Sequence, residues 1–206
     1  DGAGVAWDDL VIFSIAHGFA GLECLSGVPG TVGGAVVANI GAYRAEISDV
    51  FASADVLDLT EQKLALRVFK KEDCNFSYHD SIFSQTPGRY VVLNATFVLE
   101  KNGAAQFAYT DHRFDFTNFA KEKGREPTLE DVRTTVLDVR EQKGSLIMDG
   151  RHSYKCAGSF FHMPYVSREK HGDIAARARA LDGEKEERLR PWAWEQPDGS
   201  YKLAPG

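Results

Sequence analysis

Leu25-Ser26-Gly27-Val28-Pro29-Gly30-Thr31-Val32-Gly33-Gly34-Ala35-Val36-Val37-Ala38-Asn39-Ile40-Gly41-Ala42-Tyr43 carries five glycines and no charged side chain. Glycines at 27, 30, 33, 34 and 41 let a backbone come close to a ligand and aim amide groups at anionic oxygens. The stretch matches neither the dinucleotide fingerprint GxGxxG after a strand nor the P-loop, because no Lys-Ser/Thr pair follows the glycines. By itself it reads as a glycine-rich turn feeding a buried small-residue helix, with a phosphate cradle as the alternative.

The flanking sequence is mixed. Upstream, Trp7-Asp-Asp-Leu-Val-Ile-Phe-Ser-Ile-Ala-His-Gly18 predicts a short helix, with Asp8 capping its start and Gly18 in the left-handed stop position. Downstream, Val56–Leu59 and Leu64–Phe69 read as paired strands about the turn Thr60–Lys63, and Tyr90–Leu99 reads as a longer strand. Pro127–Arg140 predicts a helix capped by Thr128, with Glu130 and Asp131 in its first turn. A further helix is expected over Ser167–Leu181, and Glu184–Arg190 reads as a solvated charged segment. The class is α+β. The loop Gly144–Cys156 divides two unequal domains, 1–144 and 145–206.

Composition narrows the function classes. The 206 residues are 43% hydrophobic and 26% charged, ordinary values for a folded chain, and the formal charge of −6 argues against nucleic acid or an anionic membrane surface as partner. No apolar run approaches the ~20 residues of a membrane-spanning helix. Three scattered cysteines (Cys24, Cys74, Cys156) form no CxxC pair, which suits a reducing cytoplasm. The six histidines show no ligand spacing, so no metal is expected.

Two more stretches carry chemistry-bearing residues. In Cys74-Asn-Phe-Ser-Tyr-His-Asp-Ser-Ile-Phe83, the polar groups Tyr78, His79, Asp80 and Ser81 stand between apolar ends. They suit a loop that projects into a cleft, or a simple turn with Asp80 as cap and Ser81 exposed. In Cys156-Ala-Gly-Ser-Phe-Phe-His-Met-Pro164, Ser159 could be a hydroxyl at the edge of a dry pocket, but the context is not the GxSxG nucleophile elbow. A small-residue turn before a buried aromatic strand is the plainer reading.

The glycine stretch, the Tyr-x-Asp-Ser-Ile-Phe loop and the Ala-Gly-Ser-Phe-Phe loop, in this order, resemble the UDP-N-acetylenolpyruvylglucosamine reductase family. The resemblance runs from Trp7 to Pro197-Asp-Gly-Ser-Tyr-Lys-Leu203. It implies a partial vanillyl-alcohol-oxidase-type FAD-binding domain over 1–144, then a partial α+β substrate-binding domain over 145–206. The implied activity is FAD-dependent, NADPH-driven reduction of UDP-N-acetylglucosamine enolpyruvate to UDP-N-acetylmuramate in peptidoglycan synthesis.

The resemblance also implies residue roles. Ser26, Gly27, Val28, Pro29, Gly30, Thr31, Val32, Gly33, Gly34, Asn39, Gly41, Ala42 and Tyr43 would lie along FAD, with Val92 packed on it. Ser159 matches the family's proton donor. Tyr109 resembles the tyrosine that covers the nucleotide sugar in the longer subclass, Lys143 resembles a lysine facing the diphosphate, and Tyr78 would contact substrate. His79 stands where the family motif carries arginine, a permanent cation that supports charge developing on the substrate. The expectation is a fragment without the N-terminal FAD lobe and the late catalytic Glu, inactive by itself. Two other readings remain: a non-catalytic flavin-binding remnant, and a related FAD oxidase.

Overall fold

Residues Trp7–Ala16 form helix α1, which buries Trp7, Leu10, Val11 and Ser14. The helix does not begin as expected: its N-cap is Ala6, with no side-chain cap bond. Asp8 reaches instead to the glycine stretch and to Arg133. Gly18 takes the left-handed stop position, at φ +69°. The computed structural model describes residues 1–60, 64–105, 110–111, 114–115, 119–151, 163–182 and 192–204.

After α1 come the short strand β1 (Phe19–Ala20), helix α2 (Val32–Val37), the hairpin strands β2 (Gly41–Ala42) and β3 (Ala45–Glu46), and the single-turn helix α3 (Ile47–Val50). Strand β4 (Phe51–Asp58) follows, then β5 (Ala65–Lys70), the turn-length helix α4 (Ile82–Gln85) and β6 (Tyr90–Phe97). These three longer strands form one antiparallel sheet in the order β5-β4-β6. Asp58 pairs with Ala65, as expected for a hairpin around 60–63. The chain start adds to the far edge: the Ala3 amide donates to the Leu93 carbonyl and the Ala95 amide to the Asp1 carbonyl, each at 2.9 Å.

Alternation along the strands decides which face is covered. Ala54, Val56, Val92 and Ala95 face a core shared with Trp7, Leu22, Leu25 and Val36. Full burial of each such large apolar side chain contributes about 1.5–3 kcal/mol. On the opposite face Leu66, Val68, Val91 and Leu93 are exposed.

Beyond the sheet lie β7 (Glu100–Lys101), the pair β8 (Thr110–Asp111) and β9 (Phe114–Asp115), and the short helix α5 (Phe119–Lys123). Helix α6 (Leu129–Gln142) starts as expected, with the Thr128 hydroxyl accepting from the Asp131 amide in a capping box. It buries Val132, Val136, Leu137 and Val139. Val132 and Val136 pack on Cys24.

The chain divides into compact units Asp1–Cys156 and Ala157–Gly206. This division falls later than the 144/145 boundary because the segment after α6 packs back on it. Leu146 is fully buried, and Arg151 pairs with Asp138 at 2.8 Å and Glu141 at 3.0 Å. The second unit contains β10 (Tyr165–Val166), helix α7 (Arg168–Asp182), β11 (Ala193–Glu195) and β12 (Tyr201–Leu203). Its strands form an antiparallel sheet in the order β10-β12-β11. His171 of α7 stacks on Tyr201, with ring centroids 3.9 Å apart. The charged segment at 184–190 lies outside the described residues.

Candidate functional site

The glycine stretch runs alongside Ala3–Asp8, which claims many of its polar backbone groups. Trp7 Nε1 donates to the Leu25 carbonyl at 3.0 Å, and the Trp7 amide to the Gly30 carbonyl at 3.0 Å. The amides of Val32 and Gly33 donate to the carbonyls of Val5 and Ala3, each at 2.9 Å. The Gly27 amide donates to Asp8 Oδ1 at 2.7 Å. Ser26 is buried and its hydroxyl donates to the Glu23 carbonyl. Thr31 caps α2, accepting from the Gly34 amide at 3.2 Å.

What is left is a crest. Pro29, Gly30, Thr31 and Gly34 are exposed and Val28 is half-buried. Among the described residues, the amides of Gly30 and Thr31 have no protein acceptor. Gly30 sits at φ +123°, and a Cβ there would meet nothing within 4 Å. Gly27 and Gly33 are glycines for a different reason from the one expected. A Cβ on Gly27 would lie 2.7 Å from Leu137 Cδ2, and one on Gly33 would lie 2.8 Å from Ala3 Cβ. Both allow protein to pack on protein.

The second half of the stretch is held in strained backbone. Tyr43 and Arg44, the two-residue turn between β2 and β3, lie at φ +52° and +65°. Such turns ordinarily use Asn or Gly. Asn39 (φ +39°) and His79 (φ +52°) also have positive φ. Each such non-glycine residue costs on the order of 1–3 kcal/mol, held only where surrounding structure over-determines it.

The restraints are visible. Buried Asn39 donates from Nδ2 to the Ser77 carbonyl at 2.8 Å and to Glu46 Oε2 at 3.2 Å. Its Oδ1 accepts the Ser48 amide at 3.0 Å. Ser77 and Asp80 exchange backbone bonds at 3.0 and 3.1 Å, leaving Tyr78 and His79 at the tip with their rings 4.4 Å apart. The Ser81 hydroxyl donates to the Val37 carbonyl at 2.6 Å. Ser81 is therefore buried as the cap of α4, not exposed. The Asp80 carboxylate accepts the Ser81 amide at 3.0 Å, as expected of a cap, and also bonds from the side chains of Ser84 and Gln85 of α4.

The end of α6 joins this group, with Lys143 Nζ 5.4 Å from the centroid of the Tyr43 ring. Val92 faces the core behind the crest. Tyr109 and Ser159 lie outside the described residues, as does Cys156. The sequence reading missed Arg133 and Glu46 and gave Asp8 another partner. Burial works to raise the pKa of Asp8, but the bonds from Arg133 and the Gly27 amide outweigh it and hold the carboxyl below its ordinary value. Burial pushes the thiols of Cys24 and Cys74 up to about 12, with neighbouring carboxylates adding to the effect. Neither suits a nucleophile's role. Among the described residues, no group of three His, Cys, Asp or Glu could hold a metal, and no helix is long and apolar enough to cross a membrane.

Comparison with known proteins bears on this geometry. A family model described as FAD binding domain matches residues 2–64, which include the crest and the strained turn. A UDP-N-acetylenolpyruvoylglucosamine reductase from Pseudomonas fluorescens (strain Pf0-1) is 40% identical over 204 residues, covering 99% of this chain and 55% of the relative. Over nearly its whole length the chain is similar to UDP-N-acetylenolpyruvoylglucosamine reductases. A second such enzyme, from Neisseria meningitidis serogroup B (strain ATCC BAA-335 / MC58), is 36% identical over 206 residues, covering 99% of this chain and 54% of the relative. The chain thus spans about half the length of the curated relatives it matches. The crystal structure of UDP-N-acetylenolpyruvylglucosamine reductase from Thermus caldophilus aligns over 99% of this chain and 60% of its own, with a TM-score of 0.52 at 23% identity. That likeness supports the α+β fold, and the matched family model supports an FAD-binding domain.

Proposed function

We propose that this chain supplies one wall of the FAD site, and part of the substrate site, of an NADPH-dependent UDP-N-acetylmuramate dehydrogenase. Its substrate would be UDP-N-acetylglucosamine enolpyruvate. The observation that carries the reading is the exposed crest, whose Gly30 and Thr31 amides have no protein acceptor among the described residues. Open backbone of this kind fits the anionic, flat-ringed group that the matched family model names. When bound, FAD would supply acceptance of a hydride from NADPH and its delivery to a carbon–carbon double bond.

The chain's own residues would do the rest. The Gly30 and Thr31 amides would donate to phosphate oxygens, while Gly41–Tyr43, half-buried and stiffened by the 43–44 turn, would flank the ring. Lys143, beside Tyr43, would face the substrate's diphosphate, and Tyr109 would cover its sugar. Hydride addition leaves negative charge on the substrate carbon bearing the carboxylate, and Ser159 would hold the proton that this carbon takes. His79, at its loop tip with Tyr78, would stand near that charge. Asn39 and Val92 would act from behind, Asn39 as a clasp and Val92 as core. On this reading 1–144 belongs to the FAD-binding domain, the segment 145–151 that packs back on α6 stays with it, and the substrate-binding domain follows.

The test has two arms. Titration of the flavin-free form of a longer protein containing this chain with FAD, followed by flavin fluorescence, should give saturable quenching that Gly30→Val weakens. The same longer protein, loaded with FAD, should oxidise NADPH only when the enolpyruvyl substrate is present. Unchanged flavin fluorescence, or equal NADPH consumption without substrate, would refute the respective half.

A further inference from the structure

Asp8 and Arg133, 125 residues apart, form a two-bond ion pair: Nη1 donates to Oδ1 at 2.8 Å and Nη2 to Oδ2 at 2.7 Å. The Arg133 side chain is 9% exposed and that of Asp8 22%. The same Oδ1 also accepts the Gly27 amide at 2.7 Å. One carboxylate therefore joins α1, α6 and the start of the crest.

We propose that Asp8 and Arg133 are positioning residues for the crest, setting how its Gly30 and Thr31 amides are presented to an anionic ligand. The inference rests on the FAD reading for the ligand's identity, but its geometry stands apart. Downstream, the crest is anchored where the Val32 and Gly33 amides meet Val5 and Ala3. Upstream, the nearest side-chain anchor is Asp8, which accepts the Gly27 amide. Between these anchors run Val28 to Thr31. Here the Val28 amide donates to the Leu25 carbonyl at 3.4 Å and the Gly30 carbonyl accepts from the Trp7 amide at 3.0 Å, while the Gly30 and Thr31 amides have no acceptor among the described residues. Removal of the Asp8 acceptor frees the peptide before Gly27 to turn, and with it the approach to the crest.

Packing sharpens the argument. Gly27 lies against Leu137, Leu146 and Arg140, so α6 is the surface on which this backbone is seated. Arg133, on the same helix, fixes Asp8 in a single orientation through both oxygens. A fork-to-carboxylate pair is geometrically specific, whereas buried ion pairs as such add little to stability. The arrangement therefore serves register better than it serves stability.

The experiment compares wild type, Asp8→Ala, Asp8→Asn and a core control, Val56→Ala, in a longer protein containing this chain. Amide exchange at Gly27 and FAD affinity by fluorescence are read at a temperature where every variant is folded. Asp8→Ala should lose Gly27 protection and bind FAD at least about tenfold more weakly, because the crest is no longer preorganised. Asp8→Asn keeps an oxygen acceptor and should restore Gly27 protection and most of the affinity. Val56→Ala should lower Tm while leaving both readouts unchanged. Unchanged Gly27 exchange or unchanged affinity in Asp8→Ala overturns the proposal, as does equal weakening in Val56→Ala. Failure of wild type to bind FAD would refute the cofactor reading and the affinity half of this inference, whereas the Gly27 exchange result still decides the clasp.

Discussion

The side-chain amide of Asn39 donates to the carbonyl of Ser77 at 2.8 Å, across 38 residues of sequence. Through that bond the end of the glycine stretch holds the turn that presents Tyr78 and His79. Asn39 makes two further bonds, to Glu46 and Ser48, so one buried side chain joins three segments.

Replacing Asn39 with alanine should therefore cost about 1–3 kcal/mol, since it leaves buried partners unsatisfied. The strain of a left-handed alanine adds to this. Asn39→Gly removes that strain but not the lost bonds, and should recover only part of the stability. Urea unfolding of both variants, with amide exchange at Ser77 and Asp80, checks this. Full recovery in the glycine variant would mean that the side-chain bonds contribute nothing.

Gly27→Ala should destabilise by about 2–4 kcal/mol, combining left-handed backbone strain with overpacking. The atoms in the way are Leu137 Cδ2 at 2.7 Å and Leu146 Cδ1 at 3.0 Å. Leu137→Ala should then cost less in the Gly27→Ala background than in wild type. A double-mutant cycle measures the coupling, and strict additivity would show that the clash is relieved elsewhere.

Stability should depend on acid through Asp8. Its folded-state pKa is depressed, chiefly by Arg133 and the Gly27 amide acting against burial. Its contribution is therefore complete above the unfolded value of roughly 3.9 and is lost as pH falls through the folded value. The urea midpoint of wild type should drop below about pH 4, and that drop should be shallower in Asp8→Asn. Parallel curves for the two proteins would contradict the assignment.

His79 stands where the resemblance implies an arginine. If its charge supports the reaction, the longer protein should slow as pH rises through the range in which His79 loses its proton in the complex. His79→Arg should flatten that fall, because guanidinium stays charged. The measurement is a pair of pH–rate profiles for oxidation of reduced flavin by the enolpyruvyl substrate. Superimposable profiles would exclude a role that depends on His79 protonation.

The sequence by itself determined the elements whose signals are local. The β4–β5 hairpin follows from two alternating apolar runs around a polar turn, and α6 follows from its apolar period and from Thr128 and Asp131 three residues apart. The order of three motifs also carried the resemblance to a reductase family. Tertiary structure alone decided how the glycine stretch is used, because a glycine needed for packing and one that leaves backbone open look the same in sequence. Gly27 and Gly33 face Leu137 and Ala3, while Gly30 faces nothing within 4 Å. The partner of Asp8 was equally hidden. Read locally, an Asp near a helix start is a cap, and only the docking of α6 brings Arg133, 125 residues away, within 2.8 Å of its carboxylate. Caps and alternation are fixed by neighbours in the chain, whereas an ion pair or a close backbone approach is fixed by which surfaces the core presses together.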